Sequence, residues 1–330
     1  MADGQLVVST APVPPEFFAG AMPEGTRVVR ATAEDVAELV ADADVIIGDW
    51  SHTIQLTAGV IGRATRCRLI QQPSAGFENI DIAAADEAGI PVANAGPANS
   101  AAVAEHAIMG TLGVLRYLRD AIRDAEAGDW DQEAWIARDV RDLNQRVVGI
   151  LGLGSIGQAI AERLKPFGAT TLYNKRNRMP ADDEARLGAE YVDLDQLLAR
   201  SEVLIIALPL NAETEGLIDA KRLAQLPEGA VLVNIARGQI VDEDALVQAL
   251  QSGRLSGAAL DVFSQEPLPA GHRFAGLPNL LLTPHIGGAT AQGKVNILMN
   301  SLNNVVGVLK GEPPQYVVNH PKVAQEREAG

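Results

Sequence analysis

A glycine-rich turn between an apolar run and a helical stretch constrains the fold of this chain more than any other feature. The run Val147–Leu151 is apolar and partly β-branched, and glycines follow it at Gly152, Gly154 and Gly157. The stretch Gln158–Pro166 then has the composition of a helix. A G-x-G-x-x-G motif between a strand and a helix is typical of a turn that binds the pyrophosphate of a dinucleotide, the alternative being a tight turn without a ligand.

Each part of this motif has a physical role in dinucleotide binding. Gly152 permits the tight turn, Gly154 lets the backbone approach a pyrophosphate, and Gly157 allows close packing of the helix on the strand. The N-terminus of the helix that follows offers free N–H groups and the positive end of the helix dipole, which attract phosphate, and Ser155 and Ile156 lie in the turn that leads to it. We therefore predict that these five residues contact a cofactor.

Short apolar runs alternate with helical stretches along nearly the whole chain. The runs that we predict as strands are Leu6–Val8, Val45–Ile47, Leu69–Ile70, Val147–Leu151, Thr170–Tyr173, Val203–Leu208, Val231–Ile235, Ala258–Val262 and Leu280–Leu282. Gly, Pro, Asp or Asn bounds most of them, and continuous apolar runs suit strands buried on both faces. This pattern predicts an α/β fold with parallel sheets and right-handed crossovers, and 330 residues suffice for two domains.

Two longer helices interrupt this rhythm. The first is predicted from Asn99 or Ser100 to about Arg119, with an apolar stripe formed by Ile108, Leu112, Leu115 and Leu118. The second is predicted over residues 289–309. The polar segment Asp124–Arg146, which carries Trp130 and Trp135, is predicted to run over the surface.

Charge and composition exclude several classes of function. A net charge of −15 repels phosphate backbones, so we expect no nucleic-acid partner. The single cysteine, Cys67, cannot form an intrachain disulfide, and its place before an apolar run indicates a packing role. The N-terminus lacks the pattern of a signal peptide and no apolar run has the length of a membrane span, so we expect a cytoplasmic protein without membrane contact. We predict no metal site.

Several motifs downstream of the glycine turn carry a family resemblance. They are Val231–Gly238, Val241–Glu243, Leu260–Leu268 and Leu282–Thr290, and the first third of the chain adds Gly76–Asp81 and Gly89–Asn94. In this order, together with the glycine motif, they closely resemble the D-isomer-specific 2-hydroxyacid dehydrogenase family, and glyoxylate and hydroxypyruvate reductases in particular. The resemblance covers nearly the whole chain.

The resemblance implies two Rossmann-like, doubly wound domains, one inserted into the other. Residues 1–98 and 292–330 would form a discontinuous substrate domain, and residues 99–291 would form the dinucleotide-binding domain. The site would lie in the cleft, at the carboxyl ends of the strands. The family is usually dimeric, so a homodimer is expected, in which the apolar stripe of the first long helix faces the partner subunit.

Three residues match the chemistry of hydride transfer at the 2-position of a small 2-keto or 2-hydroxy acid. Arg237 can hold the substrate carboxylate with two parallel hydrogen bonds and remains charged. His285 can exchange a proton with the substrate oxygen, because histidine titrates near neutral pH. Glu266, held against His285, would orient the imidazole and favour its protonated form. The resemblance assigns the same catalytic roles to all three positions.

Other site residues are implied by the resemblance alone. In the loop Ser74–Gly76, the backbone N–H groups of Ala75 and Gly76 would bind the substrate carboxylate, and Asp261 would bind the nicotinamide carboxamide. Further cofactor contacts would come from Leu208, Pro209, Thr214, Ile235, Ala236, Arg237, His285 and Gly287. His52 either meets the 3-position of the substrate or is an ordinary loop histidine. Trp130 or Trp135 would reach into the partner subunit's cleft, as aromatic residues of this segment do in some relatives. His106, His272 and His320 are interpreted as structural.

The residues after the second strand of the nucleotide domain predict a preference for NADP(H), with NAD(H) possible. An NAD-specific site places an acidic residue about twenty positions beyond the glycine turn to accept the ribose hydroxyls. Here Asn174 occupies that position. Arg176, together with either Lys175 or Arg178, can then pair with a 2′-phosphate that meets no carboxylate. The alternative is a basic surface loop without this role.

Three other functions remain open at this point. The first is a non-catalytic, nucleotide-sensing module similar to the corepressors that share this fold. The second is a relative acting on formate or phosphite, although the loop Ser74–Gly76 lacks the lysine that the phosphite enzymes carry there. The third is phosphoglycerate oxidation, which the absence of a cation in the same loop disfavours. The sequence does not identify the side chain of the substrate.

Overall fold

Two parallel β-sheets with helices between their strands form the structure, a computed structural model that describes residues 4–322. The strands are β1 (Leu6–Ser9), β2 (Arg27–Arg30), β3 (Val45–Ile47), β4 (Leu69–Gln71), β5 (Val92–Ala93), β6 (Val147–Leu151), β7 (Thr170–Asn174), β8 (Ala189–Tyr191), β9 (Val203–Ile206), β10 (Ala230–Asn234), β11 (Leu255–Leu260) and β12 (Leu280–Leu282). This arrangement confirms the predicted α/β fold class.

Helices of very different length connect these strands. They are α1 (Glu16–Ala19), α2 (Val36–Leu39), α3 (Ala58–Ile61), α4 (Ile82–Glu87), α5 (Ser100–Leu115), α6 (Leu118–Ala127), α7 (Gln132–Ala137), α8 (Ser155–Leu164), α9 (Ala181–Leu187), α10 (Leu194–Arg200), α11 (Ala220–Gln225), α12 (Glu243–Gln251) and α13 (Ala291–Leu309). Short 3-10 turns occur at Val40–Asp42, Lys165–Phe167 and Gly238–Ile240.

The chain divides into two compact units, of which the first comprises the residues up to Asn99 and those from Ala291 onwards. Its sheet has the strand order β2-β1-β3-β4-β5, and every pairing is parallel. Helix α13 packs on this sheet through an apolar cluster that includes Val305 and Val308 with Val7 and Val45. The return of the chain through α13 therefore completes the core of the first unit.

The second unit, Ser100–Thr290, contains a seven-stranded parallel sheet in the order β12-β11-β10-β9-β6-β7-β8. Alternate residues of β9 join different cores, because Val203 and Ile205 pack with α5 and α8 whereas Leu204 and Ile206 pack on the opposite face. All seven strands run the same way, so the loops that follow them emerge at one edge of the sheet.

The strands that the sequence did not reveal are short or lie at sheet edges. Strand β2 ends in exposed Arg27 and Arg30, β5 has two residues, and β8 has an exposed Glu190 at its centre. Such strands lack the continuous apolar run on which the prediction depended. The predicted ends of the other strands differ from the structure by a few residues, most clearly at β11, which begins at Leu255.

The first long helix differs from its prediction. Helix α5 ends at Leu115, because Tyr117 adopts a left-handed backbone conformation with a φ of 49°, and α6 begins at Leu118. The predicted apolar stripe is wrong as a continuous partner surface, since Ile108 and Leu115 are buried within their own unit and only Leu118, at the start of α6, is exposed among the three. Small residues such as Ala104 and Ala107 account for much of the burial of α5. By contrast, α6 and α7 bury no residue. The surface course predicted for Asp124–Arg146 therefore holds for the helical part of that segment, whereas Leu143 is buried in the core.

Cys67 lies in the core of the first unit, in agreement with its predicted packing role. Burial raises the pKa of its thiol to about 12. Among the helices of residues 4–322, none combines the length and apolarity needed to cross a membrane. Over the same range, no group of three or more His, Cys, Asp or Glu side chains is arranged to hold a metal ion.

Candidate active site

The glycine turn follows β6 and leads directly into α8. Gly152 has a left-handed φ of 101°, and its N–H donates to the carbonyl of Asn174 at the end of β7, 2.9 Å away. A Cβ at Gly157 would lie 2.2 Å from the carbonyl oxygen of Gly152, so only glycine lets the helix start this close to the turn. The glycine spacing therefore fixes where α8 begins.

The turn has the properties that a dinucleotide pyrophosphate requires. A Cβ at Gly154 would meet no heavy atom within 4 Å, so space is open on that side of the backbone. Helix α8 starts at Ser155, where the first N–H groups have no acceptor within the helix and the dipole is positive. Exposed Gly154 and Ser155 together with half-buried Ile156 thus form a cradle that fits a diphosphate.

The residues after β7 place one amide and several cations beside this turn. Asn174 pairs with Leu151 across the sheet, and its side-chain N–H donates to the carbonyl of Val192 at 2.9 Å. The ammonium of Lys175 lies 3.4 Å from the carbonyl oxygen of Leu153, within the glycine turn. Arg176 is exposed and forms an ion pair with Glu213. Cationic side chains, and no carboxylate, therefore directly follow β7.

Arg178 has a structural role in this region. Its guanidinium donates two hydrogen bonds to Glu184, at 2.9 and 2.8 Å, and Glu184 also accepts from the hydroxyl of Tyr173 at 2.6 Å. The hydrogen bonds from Arg178, and then from Tyr173, lower the pKa of Glu184 to about 2. Burial, followed by the bond to Glu184, raises the pKa of Tyr173 to about 12. Of the two arginines considered for a phosphate, Arg178 is consequently held by two hydrogen bonds to Glu184, whereas Arg176 forms its ion pair with Glu213 of the loop after β9.

The loop after β9 is held together by Thr214. Its hydroxyl donates to the carbonyl of Pro209 at 2.7 Å and accepts from the N–H of Asn211 at 2.8 Å. Leu208 lies beside the glycine turn, where its Cδ2 would be 3.0 Å from a Cβ at Gly152. The structure thus brings Leu208 to the predicted cofactor site and uses the hydroxyl of Thr214 to shape the loop.

Arg237 follows β10 in a segment pinned by a buried asparagine. The side chain of Asn234 accepts from the N–H of Ala236 at 3.0 Å and donates to the carbonyl of Arg237 at 2.9 Å. The buried residues Ile235 and Ala236 lie between them, and the Arg237 guanidinium donates to the carbonyl of Ala236 at 2.7 Å. Asn234 thereby fixes the backbone from which the Arg237 side chain extends.

Gly238 brings the Arg237 segment against the segment that carries Glu266. A Cβ at Gly238 would lie 1.9 Å from the carbonyl carbon of Phe263 and 2.2 Å from the nitrogen of Ser264. No side chain fits between backbones at this distance. The Arg-Gly pair in the sequence is therefore a packing requirement as well as a source of positive charge.

Glu266 and His285 form a hydrogen-bonded pair, as expected for an acid–base residue and its partner. His285 Nδ1 lies 2.7 Å from Oε2 of Glu266, and Oε1 of Glu266 accepts from the N–H of Phe263 at 2.9 Å. Because an ionised carboxylate only accepts hydrogen bonds, Nδ1 carries the hydrogen and Nε2 is left to exchange a proton. The His285 side chain is 46% exposed, so a solute can reach it.

The loop that carries His285 is anchored by Asp261, which is 4% exposed. One oxygen of Asp261 accepts from the N–H of Ile286 at 2.9 Å and from the hydroxyl of Thr283 at 2.6 Å. The other oxygen accepts from the N–H of Gly287 at 2.7 Å. His285 itself has a φ of 54°, which is uncommon for a residue with a side chain. Asp261 therefore stabilises the strained backbone conformation of His285 through the two peptide groups that follow it.

Sequence reasoning missed the residues that support this group. Asn234 lies within the motif Val231–Gly238, but no role was predicted for it. Thr283 and His106 were not connected with Asp261. The signal available for Asn234 was a buried amide at the carboxyl end of an apolar strand, where backbone groups need partners. His106 lies in α5, distant in the sequence from the β12 loop, so the pairing of these residues depends on tertiary structure.

In the first unit, the loop Ser74–Gly76 is shaped by the side chains around it. The Ser74 hydroxyl donates to the carbonyl of Gly76 at 2.6 Å and accepts from the buried side chain of Gln72 at 2.9 Å. The side chain of Asn94 donates to the carbonyl of Ala75 at 3.0 Å. The carbonyls of Ala75 and Gly76 thus accept hydrogen bonds from side chains of their own unit, and the role of the two N–H groups toward a substrate stays a prediction.

The loop after β3 in the same unit is organised by the buried Asp49. Burial acts to raise the pKa of Asp49, but hydrogen bonds from Ser51 and Thr53 lower it below its usual range. His52 has a φ of 58°, and its Nδ1 lies 3.6 Å from a carboxylate oxygen of Glu78. His52 thus belongs to a turn that hydrogen bonds to Asp49 hold in place, and its role toward a substrate stays a prediction.

The two tryptophans of the surface segment differ in their surroundings. Trp130 is 80% exposed, whereas the guanidinium of Arg138 lies 4.7 Å from the ring centroid of Trp135. A ring covered in this way is less available to a partner subunit than an open one. Of the two, Trp130 is better placed to contact a partner.

The sequence model described as D-isomer specific 2-hydroxyacid dehydrogenase, NAD binding domain, matches residues 108–287, more than half of the chain. The chain is similar to glyoxylate reductase of Thermococcus onnurineus (strain NA1), with 38% identity over 87% of this chain and 86% of the relative. It is also similar to glyoxylate/hydroxypyruvate reductase B of Erwinia tasmaniensis, with 34% identity over 89% and 92% of the two chains.

Solved structures agree with this result. The crystal structure of a glyoxylate reductase from Paecilomyes thermophila superposes with a TM-score of 0.85 at 32% sequence identity, over 96% of this chain and 99% of that chain. Residues 108–287, which the sequence model matches, contain the glycine turn, the segments that follow β10 and β11, and His285. This protein belongs to the D-isomer-specific 2-hydroxyacid dehydrogenase family of oxidoreductases that use a nicotinamide cofactor.

Proposed function

We propose that this protein reduces small 2-keto acids of the glyoxylate and hydroxypyruvate type to the corresponding 2-hydroxy acids, with NADPH preferred over NADH. One observation carries the proposal: Arg237, Glu266 and His285 follow β10, β11 and β12, neighbouring strands of the sheet whose β6 leads into the glycine turn. The names of the relatives support this substrate class.

Arg237 binds the substrate carboxylate in this proposal. A guanidinium and a carboxylate match each other in a planar, two-bond arrangement that also fixes the orientation of the substrate. This pairing selects for an acid and leaves its carbonyl at C2 free to react.

His285 supplies and removes the proton. During reduction, Nε2 donates its proton to the oxygen at C2 as that oxygen gains negative charge, and in the reverse direction Nε2 accepts the proton. Glu266 stabilises the protonated imidazole through Nδ1, 2.7 Å from its Oε2. The glycine turn and the first residues of α8 would hold a nicotinamide cofactor, whose chemistry when bound would be to supply the hydride for reduction and to accept it in the reverse direction.

The preference for NADPH depends on the residues after β7. Asn174 replaces the acidic residue that would repel a 2′-phosphate, and the exposed Arg176 and the half-buried Lys175 provide positive charge next to the glycine turn. Because Arg178 is committed to Glu184, Arg176 is the principal partner that we assign to the phosphate. This proposal concerns selectivity and is separate from the chemistry of His285.

A steady-state survey tests the proposed function. Purified protein is assayed with glyoxylate, hydroxypyruvate, pyruvate and phenylpyruvate in the reducing direction, and with 3-phosphoglycerate, formate and phosphite in the oxidising direction. Each substrate is tested with the phosphorylated and the unphosphorylated cofactor. The expected result is the highest kcat/KM for glyoxylate or hydroxypyruvate with NADPH. Turnover restricted to 3-phosphoglycerate, formate or phosphite contradicts the substrate class, and nucleotide binding without any turnover indicates a sensing module.

We also infer a homodimer built on the surface segment α6–α7. Leu118 and Ile122 lie on one face of α6 and are 44% and 51% exposed, and Trp130 and Ile136 add further exposed apolar area. A helix with an apolar face and no buried residue is typical of one that packs on a partner. Light scattering on the parent and on Ile122→Asp tests this, with a dimer and a monomer expected respectively, and a monomeric parent contradicting it.

A further inference from the structure

His106 contacts the anchor of the His285 loop from helix α5. Its Nε2 lies 2.9 Å from the Thr283 hydroxyl and 3.4 Å from Oδ1 of Asp261. The same hydroxyl lies 2.6 Å from Oδ1 of Asp261. The side chains of His106 and Asp261 are 14% and 4% exposed, so water competes little for these bonds.

The hydrogens of this network can be assigned from donor capacity. A threonine hydroxyl has one hydrogen, and the carboxylate of Asp261 offers none when ionised. The short bond between Thr283 and Asp261 therefore uses the hydroxyl hydrogen, and the hydroxyl oxygen must accept from His106. It follows that Nε2 of His106 carries a hydrogen and that this N–H holds the hydroxyl in the rotamer that faces Asp261.

We propose that His106 is a positioning residue for His285, acting through Thr283 and Asp261. Oδ1 of Asp261 accepts from the N–H of Ile286 and Oδ2 from that of Gly287, the peptide groups directly after His285. These bonds maintain the left-handed backbone of His285, with its φ of 54°, against relaxation to a commoner conformation. The proposal rests on the function proposed above for His285.

The packing at Gly287 gives a second reason for this assignment. A Cβ there would lie 2.9 Å from Oδ2 of Asp261 and 3.5 Å from Cγ of His106, so the imidazole directly borders the loop. His106 therefore supports the loop both by contact and by hydrogen bonding. A ring of similar size without a donor separates these contributions, because it keeps the contact and removes the N–H.

Two substitutions at one position test the hydrogen-bonding role. His106→Phe keeps a planar ring and removes the donor, and His106→Gln keeps an amide N–H near the position of Nε2. We expect His106→Phe to lower kcat for glyoxylate about tenfold with little change in KM, because a misplaced acid–base group slows the chemical step more than binding. His106→Gln is expected to recover most of this loss. Equal activity of the two variants, or a loss confined to KM, overturns the proposal.

The hydroxyl between His106 and Asp261 provides an independent check. Thr283→Val should reproduce the effect of His106→Phe, and Thr283→Ser should retain most of the activity. Because both changes interrupt one chain of bonds, the double variant His106→Phe, Thr283→Val should lose little more than either single variant. Losses that multiply in the double variant contradict a shared path.

A readout without turnover distinguishes failure of this inference from failure of the proposed function. Hydrogen exchange of the peptide containing Ile286 and Gly287 should accelerate in His106→Phe more than exchange of the β6 and β9 core strands. His285→Ala is assayed in parallel. An inactive His285→Ala beside a fully active, unaccelerated His106→Phe refutes only the positioning role, whereas an active His285→Ala refutes the role of His285 itself.

Discussion

Two loops at the same edge of the seven-stranded sheet are built in opposite ways. The loop after β12, which carries His285, is fixed by the buried carboxylate of Asp261 through two backbone N–H groups and the hydroxyl of Thr283. The loop after β7 carries Arg176 on the surface. Arg176 forms an ion pair with Glu213, and both side chains are exposed to solvent. The backbone next to His285 is thus fixed by a buried carboxylate, whereas the Arg176 side chain is held only by an exposed partner.

The difference separates two requirements of the reaction. Proton transfer needs a fixed donor, and burial of its supporting groups provides that. Recognition of a 2′-phosphate needs positive charge in reach of the cofactor, and exposed cations provide it at little structural risk. Substitutions in the first loop should therefore affect turnover, whereas those in the second should affect cofactor choice.

The largest effect is expected at the anchored loop. His285→Ala removes the group that exchanges a proton with the substrate, so kcat for glyoxylate should fall by at least about 10²-fold with cofactor affinity near normal. Initial-rate assays measure kcat, and fluorescence titration with the cofactor measures its affinity. His320→Ala, a histidine in the first unit, is the matched control, and an His285→Ala enzyme with half the parent activity would end the assignment.

Arg237 tests the anchoring of the substrate. Arg237→Lys keeps the charge but loses the planar pair of donors, so kcat/KM for the keto acid should fall by about 10-fold or more. Arg116→Lys, at an exposed ion pair with Asp142, is the control for a conservative change elsewhere. Parent-like kinetics of Arg237→Lys would show that another group binds the carboxylate.

A smaller and more selective effect is expected in the exposed loop. Arg176→Ala should raise KM for NADPH by about tenfold and leave KM for NADH unchanged, because a charged hydrogen bond to phosphate is lost. Arg200→Ala, which removes another exposed arginine of the same unit, should change neither value. An equal rise in KM for both cofactors would contradict a role toward the 2′-phosphate.

The partner of Arg176 should have the opposite effect. In Glu213→Gln the arginine no longer shares its charge with a carboxylate, so the NADPH-to-NADH ratio of kcat/KM should rise about two- to fivefold, within the range of an exposed ion pair. Glu215→Gln in the same loop changes the net charge equally. If Glu213→Gln and Glu215→Gln change the NADPH-to-NADH ratio equally, the change in net charge is responsible and the ion pair with Arg176 is not.

The least change in activity is expected from the structural arginine pair. The pKa of Glu184 is lowered to about 2, so its contribution to stability is present above its ordinary value and is lost as the pH falls towards 2. Glu184→Gln should therefore have a lower Tm than the parent at pH 7, and the difference should shrink as the pH falls below about 4.5. Thermal melts from pH 7 to pH 3 measure this, with Glu190→Gln as control. A constant difference across this range rules out the ionised pair as its cause.

The sequence was informative where one local pattern determines the structure. The apolar run before Gly152 and the glycine spacing predicted β6, the turn and α8, because each depends on neighbouring residues. Edge strands such as β2 were not predicted, since their polar ends resemble loops. The break at Tyr117 was also missed, because nothing in its neighbourhood marks a left-handed residue as glycine would.

The candidate site shows the same division. Arg237, Glu266 and His285 were recognised from motifs, and the hydrogen bond between the last two agrees with their predicted pairing. The contact between His106 and Thr283 was not predictable, because these residues lie 177 positions apart. The bonds from Arg178 to Glu184 span only six residues, but no motif in the sequence marks them. Residues that act chemically have a local signature, whereas the residues that position them depend on the fold.

The most direct test of this division of roles is the NADPH-to-NADH ratio of kcat/KM for glyoxylate, measured for the parent, His285→Ala and Arg176→Ala. We predict that His285→Ala lowers both values by the same factor and leaves the ratio at that of the parent. Arg176→Ala should move the ratio towards one while kcat stays near the parent value. A ratio altered by His285→Ala, or a kcat lowered equally with both cofactors by Arg176→Ala, would contradict the account.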